Sequence, residues 1–404
     1  MGNLVLAGAT SGSTTIQPTD AVTTTLTLPA TSGTLTVGGT TPSFTSVTTN
    51  QLTIGTTQLG AGNASIMKNR IINGAMVISQ AAAGASVAGA NLTYAVDRFQ
   101  GNTNVSSKFT MQQNAGSVTP PVGFTKYLGL TSSSAYTIGA SEYCGFIQGI
   151  EGLNIADLGW GTANAKTVTL SFQVYSSLTG TFGGSIFNGG ANRSYPFSYS
   201  IPVANTWTTI SITVAGDTTG TWATDNSVGM YINFSIGAGS TASGTAGSWS
   251  GTFYRSATGA TSVVGTSGAT FYITGVQLEV GSSATGFEYR QYGQEFALCQ
   301  RYYIRNTGTT AGMYLASGGV ASATVIRIVL QNAMRATPTI NYAATLTIDD
   351  GSVAPTVTSV GSIVSFVNGI TFQAIASGGG MTLGRAGGLR SSNTTDWFDL
   401  SAEL

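Results

Sequence analysis

Between Phe271 and Tyr303 the chain changes its period, and that change sets the frame for the rest. Phe271 to Val280 is an apolar, β-prone run without clean alternation, which reads as a buried strand. Gly281-Ser282-Ser283 ends it with turn residues. Past Tyr289, the residues Tyr292, Phe296, Cys299 and Tyr303 fall at i, i+4, i+7 and i+11, one face of a short helix. This is the strongest helical signal in the sequence. It predicts a linking helix over 291–305 that closes one β-domain and starts another.

On the N-terminal side, short β-prone runs follow one another: Phe109–Gln112, Tyr127–Leu130, Tyr143–Ile147, Val168–Tyr175, Gly184–Phe187, Tyr195–Ile201, Thr208–Val214 and Val228–Ile236. Thr167 to Val174 alternates cleanly, the period of a strand with one buried face. Asn188-Gly189 reads as a tight hairpin, and Ile150 to Leu158 as a short helical turn. Many short strands with Gly-rich turns predict a sandwich. Only 7% of residues are charged and 55 of 404 are Gly, which suits strands and tight turns rather than helical bundles. At ~100–200 residues per domain the length allows two or three domains.

The segment 1–65 carries one charge, Asp20, and repeats short Leu/Thr alternations such as Thr25–Leu28 and Thr34–Val37. Each piece is too short for a core of its own, and winding around further copies would bury its apolar face. The competing reading is a flexible Thr/Gly-rich linker. Beyond Tyr303 a second β-unit is expected over 306–404, with Asn368-Gly369 as its clearest hairpin signal and Trp397 to Leu404 as its closing strand. The predicted class is therefore all-β: an extended N-terminal β segment, a central jelly-roll β-sandwich over 66–290, a linking helix and a small C-terminal β-sandwich.

Three stretches carry a resemblance. NRIINGAM at 69–76 and YAVDRF at 94–99 pair with GVQLEVG at 275–281, followed by Phe287-Glu288 and ALCQRYY at 297–303. Together they resemble tail-fibre and receptor-binding proteins of bacteriophages and prophages, over roughly residues 66 to 305. The opening NLVLAGATSGSTTIQP and Met334–Pro338 resemble the same family more loosely. The family often has Pro where Gly286 stands and Arg where Tyr289 stands, differences that touch a turn. The resemblance implies a jelly roll similar to carbohydrate-binding modules, a virion location after synthesis in the host cytoplasm, and a homotrimer. It also implies attachment to other virion proteins through residues 1–65, and host surface polysaccharide as the ligand. A head fibre or capsid decoration protein is the alternative within the particle.

The chain has no histidine, which removes Ser-His-Asp and Cys-His catalysis. No phosphate-binding glycine fingerprint appears. Fifteen basic and fifteen acidic residues cancel without a basic patch, so nucleic acid is not an expected partner. No stretch is long enough to insert in a membrane, and no signal peptide is visible. Cys144 and Cys299 show no metal spacing and read as buried thiols. No enzyme is expected. A polysaccharide depolymerase remains the alternative from another class, with Asp217 and Asp225 in one loop as its carboxylates. No cofactor is expected, although Asp157, Asp217 and Asp225 leave a structural calcium ion open.

Glycan binding has a physical basis in aromatic faces that stack on pyranose rings beside side chains that hydrogen-bond hydroxyls. Trp222, Asp225, Asn226, Trp249, Tyr254 and Arg255, all in predicted loops, are the candidates, and packing is the competing reading for each. Asp97, Arg98, Tyr292, Phe296, Cys299 and Tyr303 are expected to be structural.

Overall fold

The computed structural model describes residues 67–404 other than 367, together with the backbone of four short strands before them. Leu4–Ala7 pairs antiparallel with Ser13–Ile16, and Leu52–Ile54 with Thr57–Leu59. The attachment and trimerisation expected of residues 1–65 lie outside the described residues. No described helix is long and apolar enough to cross a membrane.

The central domain is a jelly roll of two six-stranded antiparallel sheets. Its strands are β1 (Val87–Ala88), β2 (Tyr94–Val96), β3 (Phe99–Thr103), β4 (Phe109–Gln113), β5 (Leu128–Ser132) and β6 (Tyr143–Glu151). They continue as β7 (Val168–Ser176), β8 (Gly180–Asn188), β9 (Ser194–Ile201), β10 (Thr208–Val214), β11 (Val228–Ala238) and β12 (Thr270–Val280). One sheet runs β9-β8-β11-β6-β3-β2 and the other β10-β7-β12-β5-β4-β1, so the chain passes repeatedly from sheet to sheet. Alternation drives this: Val168, Leu170, Phe172 and Val174 turn inward from β7 while Ser171 and Gln173 do not. Phe99, Phe109, Phe146, Phe172, Phe234 and Phe271 meet between the sheets, each almost fully buried. Burying a side chain of this size stabilises by roughly 1.5–3 kcal/mol.

The stretches that carry the family resemblance lie against one another. Asn69 donates its amide to the Val276 carbonyl at 3.1 Å and accepts from the Leu278 N–H at 3.0 Å. Val276 donates to the Gly74 carbonyl. A side chain at Gly74 would run into the Val276 carbonyl. Glu288 accepts from the N–H groups of Met67, Lys68 and Asn69, and Glu295 from that of Asn73. Arg290 sits between Glu288 and Glu295, at 3.5 and 3.2 Å. Gly275, at φ +63, makes room for a bulge against β7 and for the Phe124 ring. Residues 67–74, 276–278 and 288–295 are therefore one hydrogen-bonded seam.

The helix α1 runs Tyr292–Gln300, shorter than the 291–305 read from the sequence. Its buried side chains are Glu295 and Cys299; Tyr292 is 64% exposed and stacks on Phe296 at 5.9 Å. Tyr303 opens the next strand instead of ending the helical stripe, and it is Tyr302 that is fully buried. The reason is that the seam takes up Glu295 through Asn73 and Arg290, which turns Tyr292 outward.

Two hairpin expectations shift. The β8–β9 connection is longer than a two-residue turn, because the Asn188 side chain accepts from the N–H groups of Asn192 and Arg193 and caps a wider loop. In the C-terminal unit Phe366 pairs with Gly369, which puts that glycine in a strand.

The C-terminal sandwich sets a three-stranded sheet (Tyr303–Thr307, Trp397–Ser401, Thr339–Tyr342) beside a six-stranded one. Ile326, Ile328, Ile348, Phe372, Phe398 and Leu400 form its core. It is tied to the jelly roll by Arg98, which pairs with Glu403, donates to the Gly149 carbonyl at 2.7 Å and lies 3.5 Å from the Tyr302 ring centre. Asp97, its neighbour, instead accepts from Gln80 through backbone and side chain. The two residues thus anchor different contacts and do not pair with each other.

Candidate functional site

Strand register places Gln100 and Asn233 on either side of Ile147, and Phe187 opposite Tyr231. These residues point away from the core on the β6-containing sheet, since their neighbours Phe146, Ile186, Ile232 and Phe234 point into it. The outer face is not bare. After β11 the chain folds back across it, with Ser243–Gly244 pairing in parallel with Ser256–Ala257. Gly183 allows this close approach: a Cβ there would sit 2.6 Å from Ser256 Oγ. Leu404 covers another part, packing where Gly149 has no side chain and accepting from Gln100 at 3.0 Å.

Between these covers lies a cavity of about 380 Å³, within the size range of small-ligand sites. Its walls include the 89–93 and 189–193 loops, and its floor is the sheet. The guanidinium of Arg255 lies 3.7 Å from the centre of the Tyr143 ring and 4.6 Å from that of Phe253. Phe253 meets Phe187 edge to face at 4.7 Å, and Phe187 lies 5.0 Å from Tyr231. Arg255 Nη1 donates to Asn102 Oδ1 at 2.8 Å. Asn102 Nδ2 donates to Asn233 Oδ1 at 2.7 Å, and Asn233 Nδ2 donates to the Arg255 carbonyl at 2.6 Å. The circuit holds the covering segment to the sheet and fixes the guanidinium. Burial pushes the Arg255 pKa down, as desolvation disfavours the cation.

Of the six residues singled out from sequence, Arg255 lines this cavity. Trp222 and Trp249 belong to a packed cluster with Trp160, at 4.7 and 5.3 Å from it, and their indole N–H groups donate to Asp217 and the Ala215 carbonyl. Tyr254 lies half-buried with its ring against Gly244. Asp225 accepts from the Ser227 N–H and hydroxyl, which hold its carboxyl below the usual range. Asn226 donates to the Arg335 carbonyl in the C-terminal unit. Tyr143, Phe187, Phe253, Asn102 and Tyr231 escaped the sequence reading.

The carboxylates considered for hydrolysis or calcium have separate partners. Asp217, fully buried, accepts from Arg193 Nε and Nη2 at 2.9 and 2.7 Å, from the Gly220 N–H and from Trp222. Asp157 is held by Arg70 at 2.7 Å. Among the described residues no three of His, Cys, Asp and Glu converge as metal ligands would. Both cysteines are free and buried.

Two further cavities differ in their charge. One of about 250 Å³ is walled by Phe124, Phe287 and Tyr289, and its Arg290 is paired with Glu288 and Glu295. One of about 360 Å³ in the C-terminal sandwich holds Tyr314 and Arg390, the latter 2.7 Å from Asp349.

No known protein-family pattern matches the chain, and no curated protein sequence does. Solved structures align with about half of it. The enzymatically active domain of tailspike protein 4 from bacteriophage CBA120 is 15% identical over 53% of this chain, with a TM-score of 0.29, and the match spans 22% of that protein. A family 11 carbohydrate-binding module from Clostridium thermocellum, in complex with a β-1,3-1,4-mixed-linked tetrasaccharide, is 11% identical over 50% of this chain and 98% of its own, with a TM-score of 0.25. The CBM22-1 xylan-binding domain from Paenibacillus barcinonensis is 9% identical over 49% of this chain and 94% of its own, with a TM-score of 0.22.

Proposed function

We propose that this protein is a non-catalytic attachment protein that holds a phage particle to host surface glycan through the cavity on the jelly-roll sheet. The observation that carries the binding part is the cavity lining: the Tyr143 and Phe253 rings, the latter backed by Phe187, stand beside the fixed polar groups of Arg255, Asn102 and Gln100. Aromatic faces take the apolar face of a sugar ring, and amides and guanidinium take its hydroxyls. Strands position Tyr143, Asn102 and Gln100, and the Asn102 and Asn233 hydrogen bonds hold the segment that carries Phe253 and Arg255, so little order has to be created on binding.

The virion part is supported by the sequence resemblance, two of whose stretches, NRIINGAM and GVQLEVG, are hydrogen-bonded to each other. A tail fibre or receptor-binding protein acting as a homotrimer fits it, with residues 1–65 joining copies and other virion proteins. Modest affinity at one site then suffices, because linked copies raise the effective concentration. The test is binding of the full chain to immobilised bacterial polysaccharides, with reducing-sugar release measured on the same samples. Saturable binding without sugar release, weakened by Tyr143→Ala, is the expected result. Release of reducing sugar would move the protein to the depolymerases, and binding untouched by Tyr143→Ala would move the site elsewhere.

A further inference from the structure

We infer that the glycan unit received by this cavity is acidic, and that Arg255 binds its carboxylate; the inference rests on the cavity being the glycan site. Elsewhere in the chain four partly or fully buried arginines are answered by acids: Arg98 by Glu403, Arg193 by Asp217, Arg290 by Glu288 and Glu295, Arg301 by Glu151. Arg305 and Arg335 are instead taken up by backbone carbonyls, those of Ala81 and of Asn226 and Glu403. Arg255 has no acidic partner among the described residues, and its neighbours are tyrosines, phenylalanines and an amide. Leaving water is costly for a cation unless a negative group replaces the lost solvation.

The orientation of the guanidinium fits that role. Nη1 is spent on Asn102, and aromatic rings lie against the planar group. Nε and Nη2 have no acceptor among the described residues, and neither is sealed from solvent. That edge presents two parallel N–H donors, the fork that matches a carboxylate. The remaining cavity wall is neutral, with Asn91, Gln100 and Tyr231 as its polar members. A single cation in a neutral pocket suits a single negative charge, such as that of a uronate-type carboxylate. The partly exposed ring of Phe253, backed by Phe187, then meets the body of the same sugar. Because the site is partly desolvated, one charge pair discriminates strongly between an acidic sugar and its neutral twin.

The experiment compares binding of the full chain to an array of bacterial polysaccharides before and after chemical reduction of their carboxyl groups to hydroxymethyl. The expected result is that the glycans bound carry carboxylates and that reduction lowers apparent affinity at least about tenfold. Arg255→Gln should lose as much on the intact glycan and nothing further on the reduced one. Arg255→Lys, which keeps the charge without the fork, should fall between. Both variants retain the backbone carbonyl that anchors the segment to Asn233, and a melting curve checks their folding. Should they fail to fold, the reduction arm alone decides. Binding that survives carboxyl reduction, or a preference for neutral glycans, overturns the inference and leaves the attachment reading standing. Absence of binding to any glycan overturns both.

Discussion

Arg255 and Asn102 are joined by a 2.8 Å hydrogen bond that crosses from the segment after β11 to strand β3. Asn102 also donates to Asn233, so one amide serves both the site and its support. Asn102→Ala removes an acceptor from a charged donor and should destabilise the protein by about 1.5–3 kcal/mol. It should also weaken glycan binding, because the guanidinium loses its orientation. Urea unfolding and a binding titration on the same sample read the two effects.

The rings divide into two groups with opposite expected outcomes. Trp222 is packed against Trp160 and Trp249, so Trp222→Ala should cost about 3–5 kcal/mol of stability. Phe253 is partly exposed at the cavity, so Phe253→Ala should change stability less and weaken glycan binding about tenfold, ~1.4 kcal/mol. Thermal melts and titrations of the two variants should show this crossed pattern.

Asp217 makes stability depend on acid. Burial pushes its carboxyl up, but hydrogen bonds from Arg193, Trp222 and Thr219 outweigh that and hold it below the usual range. With the folded pKa below the unfolded value of about 3.9, this contribution is complete above about pH 4. It is lost as pH falls through the folded value. Asp217→Asn should therefore destabilise by about 3 kcal/mol at neutral pH, the low end for a broken buried pair, since the Arg193 side chain is 21% exposed. The difference from the parent should shrink below about pH 4, as followed by denaturant melts across pH.

Gly74→Ala places a methyl group against the Val276 carbonyl. Backbone on both sides leaves little room to relax, so a loss of about 1–3 kcal/mol is expected. The same loss should appear as faster hydrogen exchange at the Val276 amide, which bonds to the Gly74 carbonyl.

The strands of the jelly roll are legible because alternation marks a strand with one buried face and a continuous β-prone apolar run marks one buried on both. The expected Thr208–Val214 has its observed ends, and Val168–Tyr175 and Phe271–Val280 lie within one residue of theirs. The site was less legible. Tyr143 and Phe187 were read into strands, but which face they occupy depends on the sheet partners that fix the phase, and those are distant in sequence. Arg255 was visible as a charge beside aromatics in a nearly uncharged loop. Trp222 and Trp249 looked alike for the same reason, yet their indole N–H groups find partners inside the protein. The helix stripe misled because Glu295, a charged residue, is drawn inward by Asn73 and Arg290.

The most direct test of the glycan site is a crystal structure of the protein with an oligosaccharide from a polysaccharide that it binds. The account predicts a sugar ring against Phe253 with a hydrogen-bonding edge on Arg255, inside the cavity over β3, β6, β8 and β11. A sugar bound instead beside Tyr314 and Arg390 in the C-terminal sandwich, with this cavity empty, would contradict it.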